Sequence, residues 1–151
     1  MSERASFARR IDVLAEIFAF TAAAFAGQGI PPALRADVDF VLEELFTNIV
    51  KYSRGEAPVA IEIAAIPEGV EVTLTEPEAE RFDVTRAAPV DVTLPAVHRQ
   101  PGGLGLYLIP RLVDSLQYGY SEGERCSRIV FRKTNAAPSP GAAGRNEDER
   151  C

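Results

Sequence analysis

Glu44 and Asn48 stand four residues apart in the run Glu43-Glu44-Leu45-Phe46-Thr47-Asn48-Ile49-Val50-Lys51. On a helix that spacing stacks the two side chains on one face. A carboxylate and an amide so placed can share a divalent ion and its water. The amide oxygen can ligate magnesium, and the carboxylate can take a proton. Lys51, three residues beyond Asn48, reaches the same patch. A second feature is Gly102-Gly103-Leu104-Gly105-Leu106, directly before a helical pattern. Glycines let backbone N–H groups turn inward, and a helix N-terminus favours anions, so this run can cradle phosphate. It is not the dinucleotide fingerprint, because the glycine spacing differs and no parallel βαβ unit surrounds it. Taken singly, each feature has a plain reading: a solvated Glu–Asn pair, and a turn.

The elements around them can be read from periodicity. Ile11, Leu14, Ala15, Phe18, Ala22 and Phe25 make one helical stripe, ended by Gly27 and Gly29. Pro31 and Pro32 suit the entry to a second helix, whose stripe is Leu34, Val38, Val41, Leu42, Leu45, Ile49 and Tyr52. Two alternating runs, Val59/Ile61/Ile63 and Val70/Val72/Leu74, flank Pro67-Glu68-Gly69 and predict an antiparallel hairpin. A short strand around Ala5–Ala8 is weakly signalled. From Glu76 to Pro101 the prolines 77, 89, 95 and 101 punctuate a stretch without period, which suggests a functional loop or lid with room for a short helix. A third helix carries Leu108, Ile109, Leu112, Val113 and Leu116, with Pro110 inside its stripe. Residues 117–120 and 127–133 form a closing hairpin across Ser121-Glu122-Gly123. From Thr134 onward Ala, Pro, Ser, Gly and charge predominate, so a folded domain of 1–133 and a disordered tail of 134–151 are expected. Strand runs set apart from helices imply a mixed, mostly antiparallel sheet with helices on one face.

Composition narrows the chemistry. The 151 residues are 46% hydrophobic and 25% charged, an ordinary globular balance. A net charge of -6 argues against non-specific binding to nucleic acid or to acidic lipid. One histidine (His98) and two cysteines (Cys126, Cys151) cannot build a common structural zinc site. A Ser-His-Asp triad would have only His98, in a proline-containing loop. The two cysteines read as free thiols of a reducing, cytoplasmic protein. The apolar stretch Ile17–Ala26 is too short to span a bilayer, and Glu16 interrupts its resemblance to a signal peptide.

Together the two motifs are far more specific than either alone. Glu44-Leu-Phe-Thr-Asn48 resembles the N-box, and Gly102-Gly-Leu-Gly-Leu106 the glycine-rich box, of the GHKL ATPase superfamily. Gly103-Leu-Gly-Leu-Tyr-Leu-Ile-Pro-Arg-Leu-Val-Asp114 and Ser127-Arg-Ile-Val-Phe-Arg-Lys133 are similar to its small branch of anti-sigma-factor serine kinases, that of RsbW and SpoIIAB. The resemblance covers roughly residues 5–133. It implies an α+β two-layer sandwich, the Bergerat fold, with three helices on one face of the sheet. It implies ATP between the second helix and the loop after Leu74, with magnesium. Glu44 would be the general base for a partner's serine, and Asn48 would hold the magnesium. Lys51 would lie near the phosphates. Gly102, Gly103, Leu104, Gly105 and Leu106 would wrap the phosphates, and Ser127 would hold the adenine-side water. The implied partners are a sigma factor, an anti-anti-sigma protein of the STAS type and a second copy of the chain.

One box departs. The family reads adenine with Asp-x-Gly after the middle strand. Here that stretch is Leu74-Thr-Glu76-Pro-Glu78-Ala-Glu-Arg-Phe82-Asp83, and only the following Phe-Asp matches. Glu76 or Pro77 takes the aspartate position, depending on a one-residue gap, and the glycine is lost. Losing a buried specificity hydrogen bond costs roughly 1–3 kcal/mol. Two readings follow: an ATP-dependent serine/threonine kinase, or a non-catalytic regulatory module of the same fold with weak or lost ATP binding.

Overall fold

The computed structural model describes residues 1–86, 103–135, 143–146 and 151. The Gly102 position, His98 and most of the expected lid over residues 76–101 therefore lie outside the described residues. So does much of the expected tail.

Six strands make one sheet: β1 (Ser2–Phe7), β2 (Val59–Ile66), β3 (Gly69–Glu76), β4 (Ser115–Ser121), β5 (Cys126–Thr134) and β6 (Ala143–Asn146). Their order is β1-β2-β3-β5-β4-β6. Every neighbouring pair is antiparallel except β4 and β6. The expected mixed, mostly antiparallel sheet is therefore present, and both predicted hairpins form. The first closes over Pro67-Glu68, where Glu68 takes a left-handed φ of 58°.

Three helices pack with the sheet: α1 (Leu14–Gln28), α2 (Arg35–Tyr52) and α3 (Gly103–Leu112). The α1 helix lies against β1, β2 and α2, and α2 also meets α3. The hydrophobic faces of β2 and β3 (Ile61, Ile63, Val72, Leu74) meet Val38, Val41, Leu42, Leu45 and Phe46 of α2, all essentially inaccessible. Burying each such side chain stabilises by about 1.5–3 kcal/mol before ordering entropy is counted. Lys133 of β5 ties the layers, pairing with Asp37 of α2 at 3.1 Å and donating to the Leu112 carbonyl that ends α3.

Four expectations change. The buried stripe of α1 is Ile17, Thr21, Ala24 and Phe25, preceded by Val13, whereas Ile11 is 45% exposed. Apolar residues ring this helix nearly all round, so its sequence period does not single out one face. Thr21 is tolerated in the core because its hydroxyl donates to the Ile17 carbonyl at 2.9 Å. Second, Ile11–Gln28 is one continuous helical stretch of 18 residues with mean hydropathy 1.4, long and apolar enough to match a membrane span by composition. Here it covers the edge of the sheet. Third, Tyr52 leaves the core stripe of α2 and is exposed. Fourth, residues 134–151 are not wholly without structure: Thr134 closes β5, Ala143–Asn146 pairs parallel with β4, and Cys126 and Cys151 are joined as a disulfide rather than standing as free thiols. Pairing with a distant strand and bonding to a distant thiol leave no local signal.

Candidate functional site

The middle of α2 and the start of α3 meet at Glu44. A Cβ at Gly105 would stand 1.8 Å from Glu44 Oε2 and 2.2 Å from its Cδ. Only glycine at 105 therefore lets the carboxylate sit there, so the two sequence motifs meet at this point. Burial pushes the Glu44 carboxyl above the usual carboxylate value of 4.5, the neighbouring Glu43 adds to this, and Lys51 opposes it. A carboxylate so raised is a stronger base than a free one.

Asn48 is buried, and its Nδ2 has no partner among the described residues. Leaving an amide donor unsatisfied costs about 1–3 kcal/mol. A phosphate oxygen would satisfy it, and the same amide turned over presents its oxygen to a cation. No group of three or more His, Cys, Asp or Glu among the described residues could hold a metal by itself. Magnesium commonly takes one or two protein ligands plus phosphates and water, so a lone amide suits it. The donor set thus fits a magnesium–phosphate group. Gly103 is the first residue of α3, where backbone N–H groups are free of intrahelical partners. Leu106 is partly buried against the core. Lys51 is exposed on the last turn of α2. The side chain of Leu104 lies outside the described residues.

Beyond Asn48 a pocket opens between α2 and the sheet, lined by Leu45, Ile49, Tyr52, Ser53, Glu76, Phe82, Ser127 and Ile129 among others. Tyr52 and Phe82 stand at its exposed rim, each 57% accessible. Ser127 lies opposite Glu76 in the β3–β5 register, and its hydroxyl is 3.4 Å from Glu76 Oε1. Glu76 is not a waiting acceptor, however. Arg9 donates to its Oε2 at 3.1 Å, and the Ser53 hydroxyl donates to the same oxygen. The side chains of Arg9 and Glu76 are only 6% and 10% exposed. Arg9 also donates to the Ala57 carbonyl at 2.7 Å, to Ser53 Oγ at 2.9 Å and to the Pro77 carbonyl. One guanidinium thus joins the end of β1, the C-terminus of α2, the approach to β2 and the exit of β3.

Two residues after Glu76, Glu78 takes a φ of 55°. That left-handed conformation is one glycine adopts freely and glutamate rarely does. The Glu78 carboxylate accepts from the Glu56 and Ala57 N–H groups at 2.8 and 3.2 Å, which holds its carboxyl below the ordinary range. The loop that follows hangs on two tyrosines of β4: Tyr118 Oη accepts from Phe82 N–H at 2.9 Å, and Tyr120 Oη donates to the Ala79 carbonyl at 2.8 Å. Burial raises the Tyr118 hydroxyl above its usual value of 10.0, which keeps it neutral in this role. Arg9, Ser53, Tyr118 and Tyr120 escaped the sequence reading. Arg9 lies 67 residues from Glu76 in the chain, too far for any spacing rule to link them.

A layer of helices over this sheet order, with a carboxylate of one helix seated against a glycine-opened second helix, makes an α+β sandwich of the GHKL type. The chain belongs to the histidine kinase-like ATPase domain family, whose model matches residues 7–133. The serine-protein kinase RsbW of Bacillus cereus is 30% identical over 93 residues, which span 58% of this chain and 58% of that protein. The RsbW of Bacillus anthracis matches to the same extent. The match thus spans well under two thirds of these relatives' length. Among solved structures, the RsbU and RsbW domains of Rv1364c from Mycobacterium tuberculosis align with a TM-score of 0.60 at 12% identity, covering 91% of this chain and 34% of that one. A chain of the SiaB–SiaC complex from Pseudomonas aeruginosa aligns with a TM-score of 0.54 at 18% identity, covering 88% of each. These two likenesses show the fold.

Proposed function

We propose that this chain is an ATP-binding anti-sigma factor and serine/threonine protein kinase that acts on an anti-anti-sigma partner of the STAS type. The observation that carries the reading is the seating of the Glu44 carboxylate against Gly105, one helical turn from the unsatisfied Asn48 amide. The serine-kinase relatives support it, and so does the solved likeness to a chain found in a two-protein complex. Bound ATP with magnesium would supply the transferable phosphoryl group and neutralise its charge. Glu44 takes the proton from the partner's serine hydroxyl. Asn48 would hold the magnesium, Gly103 and Gly105 would leave backbone donors open to phosphate, and Lys51 would add positive charge nearby. The adenine base would occupy the pocket that Ile49 and Ile129 help to line. Glu76 stands in the position of the family's aspartate and Glu78 in that of its glycine, a register supported by the left-handed φ at Glu78. A sigma factor and a second copy of the chain are further proposed partners.

A second reading is favoured by one observation. Arg9 and Ser53 already occupy the Glu76 oxygen nearest to them, so adenine would compete for an engaged acceptor. On that reading the chain is a non-catalytic regulatory module with weak or lost ATP binding. Titration calorimetry with magnesium and ATP separates the two. Saturable binding at sub-millimolar nucleotide, with phosphoryl transfer to a STAS partner, is expected; absence of binding at millimolar nucleotide rejects the kinase.

A further inference from the structure

We infer that Cys126 and Cys151 form a reversible redox site that latches the strand Ala143–Asn146 onto the outer edge of β4. Two separate features of the fold agree on this. The first is the bond itself, between residues whose Cα atoms are 6.3 Å apart, within the span a disulfide can bridge without backbone movement. The second is strand direction. Leu116 to Gly119 of β4 lie beside Ala143 to Asn146 of β6, in parallel. The β6 strand therefore runs towards the same end of the sheet as β4, where Ser121 faces Cys126. Five chain steps separate Asn146 from Cys151, a reach of at most about 17 Å. The remaining distance along β4, two residues from Gly119 to Ser121, is about 7 Å. Pairing and covalent bond are thus compatible in one arrangement.

Without the bond, β6 is held, among the described residues, by its pairing with β4 and its approach to residues 84–86. It is four residues long, and it pairs on one side only with an antiparallel sheet that is complete without it. A strand that short at an edge is marginal by itself. Closing a loop of 25 residues in sequence raises the local concentration of β6 at β4 and keeps it there. Reduction releases β6 and leaves the outer N–H and C=O groups of β4 open.

The chemistry balances with a small-molecule disulfide as oxidant. The exposed Cys151 thiolate attacks the oxidant's sulfur, forming a mixed disulfide and expelling one thiolate. The Cys126 thiolate, at the first residue of β5, then attacks Cys151 Sγ and expels the second. Two protein thiols are oxidised to one disulfide, and the oxidant is reduced to two thiols. The site stands beside Ser127, which lines the pocket, yet it needs no nucleotide.

The full-length chain tests this directly. Protein reduced with dithiothreitol is incubated with oxidised glutathione and measured by intact mass and by hydrogen exchange. The expected product is a single covalent chain, two mass units lighter than the reduced chain, with amides of Leu116–Gly119 that face β6 exchanging at least ten-fold more slowly than in the reduced form. Cys151→Ser should exchange like the reduced chain under both conditions, while β1 is unaffected throughout. A disulfide-linked dimer, a stable glutathione adduct, or β4 protection that ignores the redox state would each overturn the latch.

Discussion

Glu44 and Glu76 are the same residue type at two ends of one site, and they are held differently. Glu44 faces the glycine start of α3 and is raised by burial, with Lys51 acting on it only through space. Glu76 is bonded to a buried guanidinium and to a serine hydroxyl. One carboxylate is therefore kept available to take a proton, and the other is committed to holding four chain segments together through Arg9. At the Glu44 end a missing Cβ at Gly105 makes room for the carboxylate. At the Glu76 end the acceptor is taken up by an internal counter-ion.

The comparison can be broken first at Glu44. Glu44→Gln should lower phosphoryl transfer about 10²- to 10⁴-fold, with nucleotide affinity nearly unchanged by calorimetry. In the unaltered chain the rate should rise with pH as Glu44 ionises. Because its carboxyl is raised, the acid limb of kcat/KM should inflect above 4.5.

Arg9→Ala should cost about 3–5 kcal/mol in urea unfolding, since it leaves Glu76 buried without its cation. Adding Glu76→Gln should recover part of that loss. If the double variant is no more stable than Arg9→Ala, the pair is not coupled as described.

Gly105→Ala tests the close approach. The added methyl would displace the Glu44 carboxylate, whose far end can rotate, so thermal stability should stay near that of the parent. Transfer should fall about 10²-fold, as for a catalytic group moved by an ångström. The smallest effect is expected where the base end is returned to the family pattern. Glu76→Asp with Glu78→Gly should tighten ATP about ten-fold by calorimetry. No gain would mean that the binding loop uses another register.

Helix α2, both hairpins and the Glu44–Asn48 spacing were legible because each rests on a short window; the meeting of Glu44 with Gly105 was expected only through the family resemblance that joins the two motifs. The buried face of α1 was not, because Phe18, Phe20, Ala22 and Ala23 leave no polar side to orient it. Ser2–Phe7 alternates too weakly to announce a strand; its register is set by Val59–Ala64, more than fifty residues away. The Arg9–Glu76 pair and the Cys126–Cys151 bond are likewise products of tertiary proximity. The turn at Glu78 was visible only as a missing glycine. Its backbone persists in a residue unsuited to it, held in part by its own carboxylate on Glu56 and Ala57.

Arg9 stands two residues beyond the edge strand β1 and two before the helical turn that leads into α1. Edge strands open locally far more often than the whole molecule unfolds. An opening of β1 that carries Arg9 with it withdraws the guanidinium from Ser53, Glu76 and Pro77 together. The lifetime of the base pocket as a formed cavity is therefore set by the opening rate of an N-terminal edge strand rather than by global unfolding.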